Sequence, residues 1–263
     1  MIEISQHGPV IRYRLGREVM GKVQYWTSCF WLDGMLIDTG CAHTAEELLA
    51  EVRPRGVELI VNTHYHEDHI GGNALLSQEL NAPILAPQAS LALLADPPWI
   101  HQHRELVWGR PRPSRAQALG RELSSCGHGF QVRDAPGHSA DQVMLWEPGR
   151  KWLFCGDAFI AEKPRTARPE ENYNQCLHTH RAMAALEPDI LYCSPLGAVE
   201  PALPALERTI DYLEEMKTRI HELHKKGMTP EQTVQELFGR ESRLVGFSEG
   251  QFSYKNFVEA FLK

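Results

Sequence analysis

The distribution of apolar and polar residues divides the chain into stretches of different texture. Val23 to Trp31 is rich in β-branched and aromatic residues, Asp33-Gly34 supplies a two-residue hairpin turn, and Met35-Leu36-Ile37 returns as a second strand that stops at Asp38-Thr39-Gly40. Thr44 to Val52 has helical spacing. Val57-Glu58-Leu59-Ile60-Val61 reads as a short buried strand that runs directly into Asn62-Thr63-His64. The chain up to residue 85 therefore alternates strands with short helices.

Residues 88–125 lose that rhythm. Pro97, Pro98, Pro111 and Pro113 stand among Trp99, His101, His103, Arg104, Trp108, Arg110 and Arg112, which predicts short helix and an irregular excursion packed over a site. Strand signals resume at Phe130-Gln131-Val132, at Val143 to Trp146 and, after a Pro148-Gly149 turn, at Trp152 to Cys155. From Pro201 onward Leu206, Ile210, Leu213, Ile220 and Leu223 form the apolar stripe of a long helix. Gly227 stops it, Thr229-Pro230-Glu231-Gln232 opens another with a capping box, and a final short helix follows Ser253. The expectation is an α/β body over residues 1–200 and an all-helical extension over 201–263.

Composition narrows the classes. With 263 residues, 43% hydrophobic and 23% charged, the chain is long enough for one large domain or one domain with an appendage. A net charge of −7 argues against nucleic acid as partner, because little here would neutralise many phosphates. No apolar run reaches the roughly 18 to 20 residues that span a bilayer, and the start lacks a basic segment followed by an apolar one, so the expectation is a cytoplasmic protein without a membrane partner. Cys29, Cys41, Cys126, Cys155, Cys176 and Cys193 contain no C-x-x-C pair and read as reduced and mostly buried; Cys41 and Cys155 are taken as small buried hydrophobes. Thirteen histidines are the unusual count.

Several of those histidines cluster. Thr63-His64-Tyr65-His66-Glu67-Asp68-His69 places three imidazoles and two carboxylates at the exit of a buried strand, a pattern that arises by accident about once in a thousand chains of this composition. Neutral imidazole nitrogens and carboxylate oxygens are the donors that Zn²⁺ and similar cations take. Ala135-Pro136-Gly137-His138-Ser139 and Phe154-Cys155-Gly156-Asp157 add one more imidazole and one more carboxylate, each following a strand.

Together with Ile37-Asp38-Thr39-Gly40, these pieces make residues 20–200 resemble the metallo-β-lactamase fold superfamily of metallohydrolases. The resemblance implies an α/β fold, a four-layer αββα sandwich with metals at one edge between two sheets, and a C-terminal helical extension that covers the cleft. It implies that His64, His66 and His138 hold a first metal, that Asp68 and His69 hold a second, and that Asp157 bridges both. The bridging Asp is similar to that of the glyoxalase II and thioesterase branch. The implied cofactor is Zn²⁺, one or two ions, with iron or manganese as alternatives. One departure stands out. The superfamily usually ends on a Pro-Gly-His-Gly turn whose His completes the second site, and here Cys193-Ser194-Pro195-Leu196-Gly197 puts Leu196 in that place. His178 or His180 are candidates to fill the gap, although the two cannot face the same way on a helix and an exposed polar role is expected of either.

The resulting expectation is a metal-dependent hydrolase of a thioester, ester or lactone with a small-molecule acyl substrate, in which Asp68 is the catalytic carboxylate that orients the nucleophile and passes a proton to the leaving group. The alternatives are a mononuclear iron persulfide dioxygenase built on His64, His138 and Asp157, or a catalytically weakened metal-binding or regulatory protein. A homodimer is admitted as a further partner. Asp38 is open between supporting a ligand His and simple turn chemistry. Trp99 and Trp108 are expected to fill core, the alternative being that they line a substrate pocket with His101, His103 and Arg110.

Overall fold

Strict two-residue alternation along the central strands builds the layers. In the computed structural model, which describes residues 1–19, 21–125 and 127–263, Met35, Ile37, Leu59 and Val61 face one apolar cluster while Leu36 and Ile60 face another. The same switch occurs in the second sheet. Val143, Leu145, Phe154 and Tyr192 join the inner cluster, and Met144, Leu153, Cys155, Leu191 and Cys193 point to the opposite face.

Among the described residues the first sheet has seven strands in the order Ile2–His7, Val10–Leu15, Thr27–Leu32, Met35–Ile37, Leu59–Val61, Ile84–Ala86 and Gln117–Ala118. The second has six, Glu122–Ser125, His128–Asp134, Val143–Glu147, Trp152–Gly156, Ile190–Cys193 and Gly197–Val199. The inner cluster binds the two sheets face to face. The helix Ala45–Val52 covers the first sheet through Ala45, Leu48, Leu49 and Val52, spaced as one helical face. Ala202, Ala205 and Leu206 of the long helix Ala202–Lys225 and Met183 of the helix Tyr173–Ala184 cover the second. The result is the αββα sandwich.

The C-terminal helices share their own core. Leu213, Met216 and Ile220 of the long helix meet Val234, Phe257, Val258 and Phe261, together with Tyr173 and Leu177. Thr229 and Gln232 form the capping box, and the Ser253 side chain accepts from the Asn256 backbone N–H. No helix among the described residues is long and apolar enough to cross a membrane.

Three local expectations change. The β-rich run from Val23 yields a strand only from Thr27, because Lys22–Val23 pairs instead with Glu18–Val19 in a separate small hairpin. Trp99 is 72% exposed, held outside the core behind Pro97-Pro98, whereas Trp108 is buried. His180 is buried rather than exposed. Cys29, Cys41, Cys155 and Cys193 are buried and free, Cys176 is free and half-buried, and Cys126 lies outside the described residues.

Candidate metal centre

The centre forms where strands end. Asp38 follows Met35–Ile37, Thr63 and His64 follow Leu59–Val61, and Asp157 follows Trp152–Gly156. A backbone hydrogen bond from Val143 N to Thr63 O, 2.9 Å, joins the two sheets at this edge. Two glycines permit the close approach. Gly156 has φ +51°, and a Cβ there would lie 2.7 Å from Thr63 Oγ1; Gly137, at φ +135°, packs its backbone against Cys176 and sets up His138.

Three imidazole nitrogens converge: His64 Nε2 lies 3.0 Å from His66 Nδ1, which lies 2.9 Å from His138 Nε2. His64, His66 and His138 form one set, and His64, His69 and Asp157 a second, each with donor atoms within 4.8 Å of one another. His69 Nε2 and Asp157 Oδ1 are 3.3 Å apart, yet both are buried and neither has a hydrogen-bond partner. Buried polar atoms are normally paired, so two that approach without bonding fit a cation held between them. Asp68 belongs to neither set. Its Oδ2 stands 3.9 Å from His69 Nε2, and Oδ1, also buried and unpartnered, is 3.7 Å from Arg168 Nη2.

Hydrogen bonds behind these side chains fix which ring nitrogen is free. Asp38, at φ +60°, accepts from the Thr63 backbone N–H and the Thr63 hydroxyl, each at 2.8 Å. Its Oδ2 also lies 2.7 Å from His69 Nδ1, which assigns the His69 proton to Nδ1 and leaves Nε2 free. Asp38 thus serves both the turn and the orientation of His69. Because the Thr63 hydroxyl donates to Asp38, it accepts from His64 Nδ1 at 3.0 Å, freeing His64 Nε2. Glu171 Oε1 stands 3.2 Å from His138 Nδ1.

Burial keeps His64 and His66 neutral by pulling both well below the ordinary histidine value. Burial opposes charge on His69 too, but Asp157 and Asp38 outweigh it and raise this ring well above the ordinary value. Burial likewise opposes the Asp157 carboxylate, and His69, His138 and His64 reverse that and hold it far below the usual range. Asp68 is pushed up by burial, against His69 and Arg168.

Glu171, Arg104 and Arg168 complete the surroundings without any sequence motif to announce Glu171 or Arg168. Arg104, on the helix Gln102–Trp108, binds both oxygens of buried Glu67 at 2.7 Å. His180 donates from Nδ1 to Cys176 O at 2.7 Å and lines a small cavity with His138 and Asp157, while His178 is exposed. Leu196 is 45% exposed and lines a groove with His7, Arg12 and Tyr192. His101 and His103 approach through their Nδ1 atoms at 3.2 Å, away from both donor sets.

The metallo-beta-lactamase superfamily model matches residues 28–195, a range that contains both donor sets. The chain belongs to the metallo-beta-lactamase superfamily. A metallo-beta-lactamase from Pontibacter korlensis superposes with a TM-score of 0.64 at 20% identity, over 81% of this chain and 99% of that one. A metallo-beta-lactamase family protein from Thermus thermophilus gives 0.65 at 18%, over 95% and 91%. These likenesses establish the fold of the superfamily. Among curated proteins, a hydroxyacylglutathione hydrolase of Idiomarina loihiensis is 30% identical over 127 residues, 48% of this chain and 42% of that protein. One from a Synechococcus species is 31% identical over 125 residues, 44% and 43%. The chain thus matches less than half the length of these relatives.

Proposed function

We propose that this chain hydrolyses a thioester, ester or lactone of a small acyl substrate at a centre of one or two metal ions, with zinc first among the candidates. The carrying observation is the convergence of His64, His66 and His138 beside the His64, His69 and Asp157 set, in a chain whose curated relatives are named hydroxyacylglutathione hydrolases. His64, His66 and His138 would hold the first ion, and His69 and Asp157 would face a second, with Asp68 alongside. When bound, such an ion lowers the pKa of a coordinated water from about 15.7 to about 7 and polarises a carbonyl oxygen.

The protein's own groups supply the rest. Asp38 and Thr63 orient His69 and His64 with a nitrogen free. Asp68 Oδ1 has no hydrogen-bond partner, and burial raises its proton affinity, so it is the atom we assign to take a proton and return it to the leaving group. Replacing Asp68 by Ala abolishes turnover of a generic thioester; activity surviving in metal-loaded variant protein would overturn this role.

A second reading has its own observation. Two imidazoles and one carboxylate, whether the expected His64, His138 and Asp157 or the converging His64, His69 and Asp157, also suit a mononuclear iron oxygenase. Iron in freshly purified protein, with oxygen uptake on a persulfide and no thioester hydrolysis, would select it.

A further inference from the structure

One end of the space between the two sheets is polar where the rest is apolar. On the strand Val10–Leu15, Val10 belongs to the inner cluster, so two-residue alternation turns Arg12 toward the second sheet as well. Ser5 stands opposite Arg12 on one neighbouring strand, and Phe30 stands opposite it on the other. Tyr192 and Ala198 are paired on the last two strands of the second sheet. With exposed Leu196 these residues line a groove of about 230 Å³, and none of them belongs to either donor set of the metal centre.

Arg12 enters this groove without an acid. Its Nε donates to Ser28 Oγ at 2.8 Å and its Nη2 to Pro195 O at 3.2 Å, two neutral acceptors that fix the plane of the guanidinium. Gly197, at φ +85°, leaves room for Nη1, with which a Cβ at that position would collide. The acids nearby are taken: Glu3 holds Arg14 at 2.7 Å, and Glu200 holds His7 at 3.1 Å. Among the described residues Arg12 has no ion pair. Burial, reinforced by Arg14, pulls this guanidinium below the ordinary arginine value, the direction expected where a charge is opposed more than it is compensated.

We infer that the groove is a binding site, separate from the metal centre, for a small carboxylate with an apolar tail. The carboxylate sits on Arg12, whose charge and N–H donors suit a planar pair of acceptor oxygens. The tail lies along Val10, Phe30, Leu196 and Ala198 and takes the exposed Leu196 side chain out of water. An unpaired, half-buried cation and an exposed leucine in one groove are both satisfied by a single anion of this kind. Phosphate fits less well. Gln6 donates to Gly8 O, and His7 and Tyr192 are bonded to Glu200 and to each other, so its further oxygens find few free donors and a carboxylate close by.

The test is calorimetric titration of metal-loaded protein with hexanoate, hexanamide and inorganic phosphate. Hexanamide has the shape of hexanoate without its charge, and phosphate has charge without the tail. The wild type binds hexanoate about tenfold or more tighter than hexanamide, the scale of one charge-assisted contact. Arg12→Met removes that preference, and Arg12→Lys retains part of it. Ala198→Phe fills the groove from an exposed strand position, leaves Arg12 in place, and weakens hexanoate about tenfold or more with a melting temperature near wild type. It decides the question if Arg12→Met does not fold. No preference in the wild type overturns the site, and so does a preference undiminished in either folded variant, the result expected of a carboxylate held at the metals. Phosphate that binds as tightly as hexanoate, and is lost with Arg12, overturns the assignment to a carboxylate with a tail.

Discussion

Replacing Asp38 by Asn tests whether the carboxylate behind His69 sets the metal-facing nitrogen of that ring. Asp38 takes the Thr63 backbone N–H at Oδ1, and the Thr63 hydroxyl and His69 Nδ1 at Oδ2, over 2.7 to 2.8 Å. Asn matches Asp in size and tolerates the left-handed backbone at φ +60°. Its amide oxygen can keep the Thr63 N–H, but its NH₂ then faces two donors. His69 must move its proton from Nδ1 to Nε2, the atom that faces Asp157 at 3.3 Å. Loss of such support lowers metal affinity roughly 10- to 100-fold, or about 1.4 to 2.8 kcal/mol. Ala goes further, since it also strands the Thr63 N–H without an acceptor, at about 1–3 kcal/mol of fold stability. Competition with a chromophoric chelator measures the affinity, and melting of metal-free protein measures the fold. Asp38→Asn weakens binding with little loss of stability, whereas Asp38→Ala loses both. Wild-type affinity in a folded Asp38→Asn variant would refute the reasoning.

Two other predictions concern charge. His69 is raised well above 6.5 in the metal-free fold, with Asp157 and Asp38 outweighing burial, so its contribution to stability is full below pH 6.5 and lost as pH rises through the folded value. Metal-free protein should therefore lose melting temperature above pH 6.5 relative to metal-loaded protein, and calorimetry in buffers of different ionisation enthalpy should show proton release on metal binding; proton-neutral binding would contradict this. Glu67→Gln breaks the buried pair with Arg104 and should destabilise the fold by roughly 3–5 kcal/mol in urea unfolding. A loss below about 1 kcal/mol, the level of an exposed pair, would show that the contact is not structural.

What could be read in the sequence follows from distance along the chain. The His64 to His69 run is continuous in sequence, from the loop after Leu59–Val61 into the short helix Glu67–Ile70, and strand alternation at Met35 to Ile37 and Val143 to Trp146 is a local property, so both were visible as patterns. Arg168 was not, because it lies one hundred positions after Asp68 in Ala167-Arg168-Pro169, with no motif around it. Glu171 behind His138 was hidden for the same reason, and Glu67, although inside the visible run, could not be matched to its distant partner Arg104. Trp99 misled because large apolar residues usually indicate core, and the two prolines before it hold it outside. Asp38 carried two readings that only the fold could combine, since its turn conformation is what aims its carboxylate at His69.

The proposed hydrolysis is tested most directly by measuring thiol release from S-acyl thioesters by protein stripped with a chelator and then titrated with zinc. The account predicts turnover that appears with added metal and is absent from Asp68→Ala. Metal-loaded, folded protein that releases no thiol, and leaves a matching panel of esters and lactones intact, would contradict it.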